Sequence, residues 1–191
     1  MKLTTTPSQS RWAPSDLRAL TRTFPHAGSL IAIHLRPGRH EPIIDVDTCE
    51  AIAGRGLRGD RAIANIAGGK RQVTLLQAEH VPTVAAFLRL ASINTATLRR
   101  NLVVSGLNIA AGRALFKDQP VRLRIGPSVI VEISGPCEPC SRMEAALGPG
   151  AYNALRGHGG FTAKVIAGGT LALGDRVLCE VVQADLFEAV S

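Results

Sequence analysis

The chain has 191 residues, 46% hydrophobic and 19% charged, which is enough for one domain with its own core and too apolar for a disordered chain. No uninterrupted apolar stretch is long enough to cross a bilayer, and Met1-Lys2-Leu3-Thr4-Thr5-Thr6-Pro7-Ser8 lacks the apolar segment of a secretion signal, so no membrane association is expected. The net charge of +7 is carried by arginine, dispersed among glycines and accompanied by few aromatics, so nucleic acid is not the expected partner either.

Residues up to Ala13 form a polar tail, and Pro14 to Phe24 form a first helix beginning near Ser15 or Asp16. Residues 1–26 are thus an N-terminal extension to a single domain over 27–185. Leu30 to Leu35 is an apolar strand closed by the turn Arg36-Pro37-Gly38, and Ile43 to Ile52 alternates as a half-buried strand. Gln72 to Leu76 is a short strand. Ala78 to Leu90 is helical, with Pro82 in its first turn. Asn101 to Val104 is a strand, and Val121 to Ile125 pairs with Ser128 to Ser134 as a hairpin around Gly126-Pro127. A short helix, Ser141 to Leu147, stops at Gly148-Pro149-Gly150. The last strands, Ala163 to Ile166 and Arg176 to Val182, are separated by Gly168-Gly169 and Gly174-Asp175. Short strands with frequent glycine turns and few helices predict a mostly β fold, a closed or partly closed barrel.

The most informative run is Gly135-Pro136-Cys137-Glu138-Pro139-Cys140-Ser141-Arg142-Met143-Glu144. Ser141-x-x-Glu144 reads as a capping box, which sets Cys140 just before a helix N-terminus, where free amides and the macrodipole favour a thiolate. A structural zinc site would need a second ligand pair, and none is at hand. A thioredoxin-like redox pair belongs beside a βαβ unit, which the element order does not show. There remain a nucleophilic or metal-ligating thiolate and two small buried hydrophobes. Cys49 and Cys179 lie in apolar strands and belong to the core. Four cysteines so arranged do not make a secreted disulfide framework, so a reducing cytoplasm is expected.

Two further runs carry chemistry. Gly54-Arg55-Gly56-Leu57-Arg58-Gly59-Asp60-Arg61 sets arginines at spacing three among glycines, as an anion clamp would. A glycine turn with solvated arginines, Asp60 pairing with its neighbours Arg58 and Arg61, fits the run equally well. Leu98-Arg99-Arg100-Asn101 leads into a buried strand, so at most one of its arginines faces a given site, and a surface role is the plainer reading. His158, in a glycine loop after the cysteine helix, reads as a surface histidine. No Ser-His-Asp order or paired-carboxylate motif stands out.

Taken in order, Gly56-Leu57-Arg58-Gly59-Asp60-Arg61, Arg71-Gln72-Val73-Thr74-Leu75, Arg99-Arg100-Asn101-Leu102-Val103-Val104-x-Gly106, Pro136-Cys137-x-Pro139-Cys140, Gly160-Phe161-x-Ala163-x-Val165 and Gly174-Asp175-x-Val177 resemble MOSC proteins, the domain similar to the C-terminal part of molybdenum-cofactor sulfurase. The resemblance runs from about Leu30 to Val182 and implies a MOSC-like β-barrel with short helices. It implies the molybdenum cofactor (molybdopterin), with Cys140 at the metal and Arg99 at the cofactor. Arg58 or Arg61 would hold the pterin phosphate, and Arg36 takes a further cofactor-binding position. No pyridoxal-phosphate sulfurase region, ferredoxin or flavin domain is recognisable in these residues, so the resemblance is to a small stand-alone bacterial type served by separate flavin or iron–sulfur electron donors. Such relatives are associated with reduction of N-hydroxylated compounds. A carrier of cofactor, or of sulfur as a Cys140 persulfide, is the alternative, and a metal-free thiol redox protein using Cys137 and Cys140 is a third.

Overall fold

A computed structural model describes residues 16–65 and 67–182. The expected polar tail and the first two residues of the expected first helix lie outside these. Within them that helix is a single turn, α1 (Leu17–Leu20), started by Asp16, whose carboxylate accepts from the Arg18 amide.

Eleven strands follow in the described residues: β1 (Gly28–Leu35), β2 (Ile44–Val46), β3 (Thr48–Ile52), β4 (Gly56–Leu57), β5 (Val73–Gln77), β6 (Leu102–Ser105), β7 (Val121–Ile125), β8 (Val129–Pro136), β9 (Phe161–Ala167), β10 (Gly169–Ala172) and β11 (Arg176–Val181). Seven close into a barrel in the order β1, β11, β7, β8, β9, β5, β6 and back to β1. Strand β2 extends the sheet beyond β1, and β10, β3 and β4 form a small second sheet. The fold is mostly β with a closed barrel, as the spacing of strands and glycines predicts.

Why the barrel closes is legible in side-chain alternation. In β7, Val121, Leu123 and Ile125 are buried while Arg122 and Arg124 face outward, the period of two expected of a strand covered on one face. Strand β5 is buried along its whole length, and β6 nearly so, because both of their faces are covered. Leu75, Leu102 and Val104 point into the barrel core, whereas Leu76 and Val103 pack outward under the helices α2 (His80–Leu88), α3 (Ser141–Leu147) and α4 (Ala151–Ala154). Each fully buried leucine contributes on the order of 2 kcal/mol, so this outer layer fixes α3, and with it the cysteine segment, to the barrel wall.

Three sequence expectations need correction. Ile43 to Ile52 is two strands: β2 pairs with β1 and β3 pairs with β10. The chain changes sheets at Asp47, whose carbonyl accepts from the Leu173 amide. Gly168-Gly169 is no simple separator, since Gly169 opens β10. Finally, β5 and β6 are parallel and joined through α2, so the chain does contain a βαβ unit. The cysteine pair lies elsewhere, after β8, so the context of a redox helix is still not produced. Cys49 and Cys179 are core residues as expected. Burial, then nearby Asp60 and Glu50, push the Cys49 thiol up, and burial alone pushes Cys179 up to about 11, so both favour the thiol over the thiolate.

Candidate functional site

Arg36 leaves the end of β1 and meets Asp60, which lies just after β4. The carboxylate is 2% exposed and fully used. It accepts from Arg36 Nε (2.8 Å), Arg36 Nη2 (2.9 Å) and the Arg36 amide (2.9 Å), from the Ala62 amide (2.9 Å), and from Asn101 Nδ2 (2.7 Å). Burial alone would raise its pKa. The bonds and charge of Arg36, with the Ala62 amide, more than offset that and hold it below the usual carboxylate range. Asn101, itself fully buried, uses its oxygen to accept from the Thr74 amide and hydroxyl, and so ties β5 to this hub. The expectation that Asp60 pairs with Arg58 and Arg61 is therefore corrected: its partner lies 24 residues away.

Above this hub lies a polar cleft of about 420 Å³ lined by Arg36, Arg61, Asn65, Arg71, Thr74 and Cys137. Arg99 stands beside it. Its backbone is left-handed (φ 55°), and its guanidinium donates to the carbonyls of Glu41 (3.0 Å) and Gly38 (3.3 Å). Burial and the repulsion of Arg142, Arg61 and Arg36 lower its pKa. Guanidinium groups thus crowd a cleft whose one buried carboxylate is already saturated. Such a site has a standing preference for an anion with several oxygens, because each guanidinium still holds free N–H donors.

The cysteine segment closes the other side. Arg100 is buried and spends its donors on carbonyls: Nε to Gly159 (2.6 Å), Nη1 to Leu98 (2.8 Å) and Nη2 to Cys137 (3.3 Å). The Cys137 amide in turn donates to the Gly160 carbonyl (2.8 Å). Glycine is required at both positions of this loop. A Cβ on Gly159 would overlap the Cys137 carbonyl, and one on Gly160 (φ 86°) would overlap the Leu75 carbonyl. Cys137 is buried and Cys140 exposed, both as free thiols, and Cys140 itself is the N-cap of α3.

A family model, the MOSC domain, matches residues 58–178. The chain belongs to the MOSC domain family. Solved structures share the fold at low identity. The YuaD protein from Bacillus subtilis superposes with a TM-score of 0.66 at 17% identity, covering 84% of this chain and 100% of that one. YiiM from Geobacillus stearothermophilus gives 0.57 at 16% identity, over 81% of this chain and 75% of that one. YiiM from Escherichia coli gives 0.55 at 20%, over 83% and 69%. No curated protein sequence matches.

Against this MOSC framework the predicted site residues divide. Arg36, Arg61 and Arg99 come together at the cleft. Arg58 does not join them: its Nε donates to Glu50 (2.5 Å) on the exposed face of the small sheet. Cys140 is exposed at the start of α3, and Cys137 is the cysteine in the cleft wall. The capping box is not formed. Ser141 is already the first helical residue, and Glu144 accepts from the Gly150 and Tyr152 amides (both 2.7 Å), so it caps α4 instead. The surface reading is overturned for Arg100, which is buried, whereas Arg99 is half-buried at the cleft edge, where it bonds Gly38 and Glu41. Arg71, Arg142 and the Arg100 clamp carried no assigned role in the sequence. The signal available was the placement of Arg71 and Arg100 immediately before the buried strands β5 and β6.

Proposed function

We propose that this MOSC protein binds the molybdenum cofactor and acts as an oxidoreductase module on N-hydroxylated compounds, with electrons supplied by separate flavin or iron–sulfur proteins. The observation that carries this reading is the arginine cleft over a saturated carboxylate, with a cysteine segment at its edge. The donor set fits a phosphorylated pterin. Arg36, Arg61 and Arg99 would take the phosphate, and Arg71 lies on the same wall. Among the described residues no three His, Cys, Asp or Glu side chains gather to hold a metal, so a metal here must arrive with most of its own ligands. Cys140 would add the protein's thiolate. When bound, the cofactor supplies reduction of an N–O bond; the chain's own residues orient and hold it. Asp60 fixes the Arg36 fork, Asn101 fixes Asp60, and Arg100 with Gly159 and Gly160 fixes the segment from which Cys140 projects.

The alternative is a carrier of cofactor, or of sulfur as a Cys140 persulfide. The exposure of Cys140, where a second protein can reach it, favours this reading. Metal analysis of protein made in a cofactor-synthesising host separates them. Near-stoichiometric molybdenum, lost in Cys140→Ser and kept in Cys137→Ser, is expected. Molybdenum-free protein with cyanide-labile sulfur on Cys140 supports the carrier instead. Loss in Cys137→Ser alone transfers the ligand role to the cysteine in the cleft wall.

A further inference from the structure

A cavity of about 500 Å³ lies between α1 and the turn over residues 108–116, apart from the arginine cleft. Leu20, Phe24, Leu107, Phe116, Val121 and Val181 are among its walls, so it is apolar and has room for several side chains. The described chain ends at its edge. Val181, at the end of β11, is itself a wall residue, and the Val182 amide donates to the Pro120 carbonyl (2.8 Å). Residues 183–191, which lie outside the described ones, continue from that point, so no long reach separates them from the cavity. The rim carries positive charge. Arg113 borders the cavity with no ion-pair partner among the described residues, and Arg22 reaches over the wall residue Gln119, whose side-chain oxygen accepts from Arg22 Nε (3.0 Å). Arg18 pairs with Asp118 (2.6 Å) and lies over the Phe116 ring.

We propose that this cavity is the docking site of the chain's own C-terminal segment, residues 183–191, which enters with Leu186 and Phe187 and turns Asp185 and Glu188 toward the arginine rim. Composition selects this segment. It carries Leu186, Phe187 and Val190, two acids and no base, whereas residues 1–15, which lead into α1 on the opposite wall, carry Lys2 and Arg11 and no acid. Burial of the apolar side chains supplies the attraction, and the rim charge favours the acidic segment over the basic one. The docked segment also accounts for how α1 is held. That helix is a single turn with no fully buried residue, too short to persist on its own, so a filled cavity is what secures it to the barrel. Ala110, Arg113 and Leu115 wall the cleft beside Cys137 as well, so the segment braces that wall from behind. None of this depends on the cofactor.

The test is NMR on the full chain, reading NOEs from the Phe187 ring. Cross-peaks to the methyl groups of Leu20, Val121 and Val181 are expected. Phe187→Asp should shift those methyl resonances and raise the fluorescence of the apolar dye anilinonaphthalene sulfonate as the cavity opens. The core methyls of Leu75 and Leu102 should keep their positions in the variant, which shows that the barrel is intact. Arg113→Glu should raise the dye signal in the same direction and by less. Absence of the Phe187 cross-peaks, or a dye signal unchanged by Phe187→Asp, overturns the proposal. So do cross-peaks from Trp12 in their place, which give the cavity to the N-terminal segment. Cross-peaks seen only between differently labelled molecules of a mixed sample also overturn it, since the occupant is then the segment of a second copy.

Discussion

Asp60→Asn is the sharpest probe of the site's electrostatics. The substitution keeps the shape of the side chain and removes its charge, leaving the Arg36 guanidinium, whose side chain is only 12% exposed, without a counter-ion and facing Arg61 and Arg99. Removing one partner of a buried ion pair costs about 3–5 kcal/mol. The lower end applies here, because Arg36 borders an open cleft and the amide oxygen can still accept from Ala62. A loss of about 3 kcal/mol lowers Tm by on the order of 10 °C in a domain of this size. The pH dependence gives the sign. The Asp60 pKa is depressed in the folded state, so its contribution is complete above the unfolded value near 4 and is lost as pH falls through the lower folded value. Chemical denaturation of both proteins should therefore show the full gap at pH 7 and a narrowing gap below about pH 4. Inorganic phosphate should restore part of the variant's stability by replacing the missing anion. A gap under about 1 kcal/mol at pH 7, or one undiminished at pH 3, would refute the idea that this charge organises the arginines.

Gly160→Ala places a Cβ on the Leu75 carbonyl at a left-handed position, so a loss of about 2 kcal/mol or more is expected, with faster labelling of the Cys137 thiol by a disulfide reagent as its amide loses the Gly160 carbonyl. Arg61→Ala and Arg99→Ala should each weaken calorimetric binding of pyrophosphate by roughly tenfold or more, whereas Arg58→Ala, paired with Glu50 on the surface, should leave it unchanged. Burial, then the charge of His158, lower the pKa of His80, whose ring meets that of His158 edge-on at 4.8 Å. Folding favours neutral His80, so stability present above its ordinary value near 6.5 is lost as pH falls through its lower folded value. An NMR titration placing His80 at or above 6.5 would exclude this.

Much of the fold was legible because each strand announces itself locally. Alternation in β7 and glycine-bounded apolar runs elsewhere located all seven strands of the barrel, and only the short strands β4 and β10 of the small sheet escaped. What was not legible is which strands meet. The run from Ile43 to Ile52 reads as one strand because its alternation continues through Asp47. Only the competing partners β1 and β10 divide it. The parallel pairing of β5 with β6 was hidden for a related reason: nothing within Val73–Gln77 or Leu102–Ser105 states the direction of its neighbour.

The site shows the same limit in electrostatic form. Sequence neighbours suggest that Asp60 neutralises Arg58 and Arg61, and by proximity along the chain that is sound. In the folded molecule Glu50 takes Arg58 across the small sheet, and Arg36 takes Asp60 from the end of β1. Arg61 is then left facing the cleft with Arg71, and Arg99 is held beside it by the carbonyls of Gly38 and Glu41. The gathering of cations at the cleft is therefore a property of the pairing pattern, since with local pairing Asp60 would have partly neutralised Arg61 at its own loop. It follows that the cationic character of this cleft depends on two carboxylates that do not line it. Glu50 withdraws one arginine to the surface, and Asp60 orients another while already saturated. That division of roles explains why a glycine-arginine motif that is ambiguous in sequence becomes specific once the barrel closes.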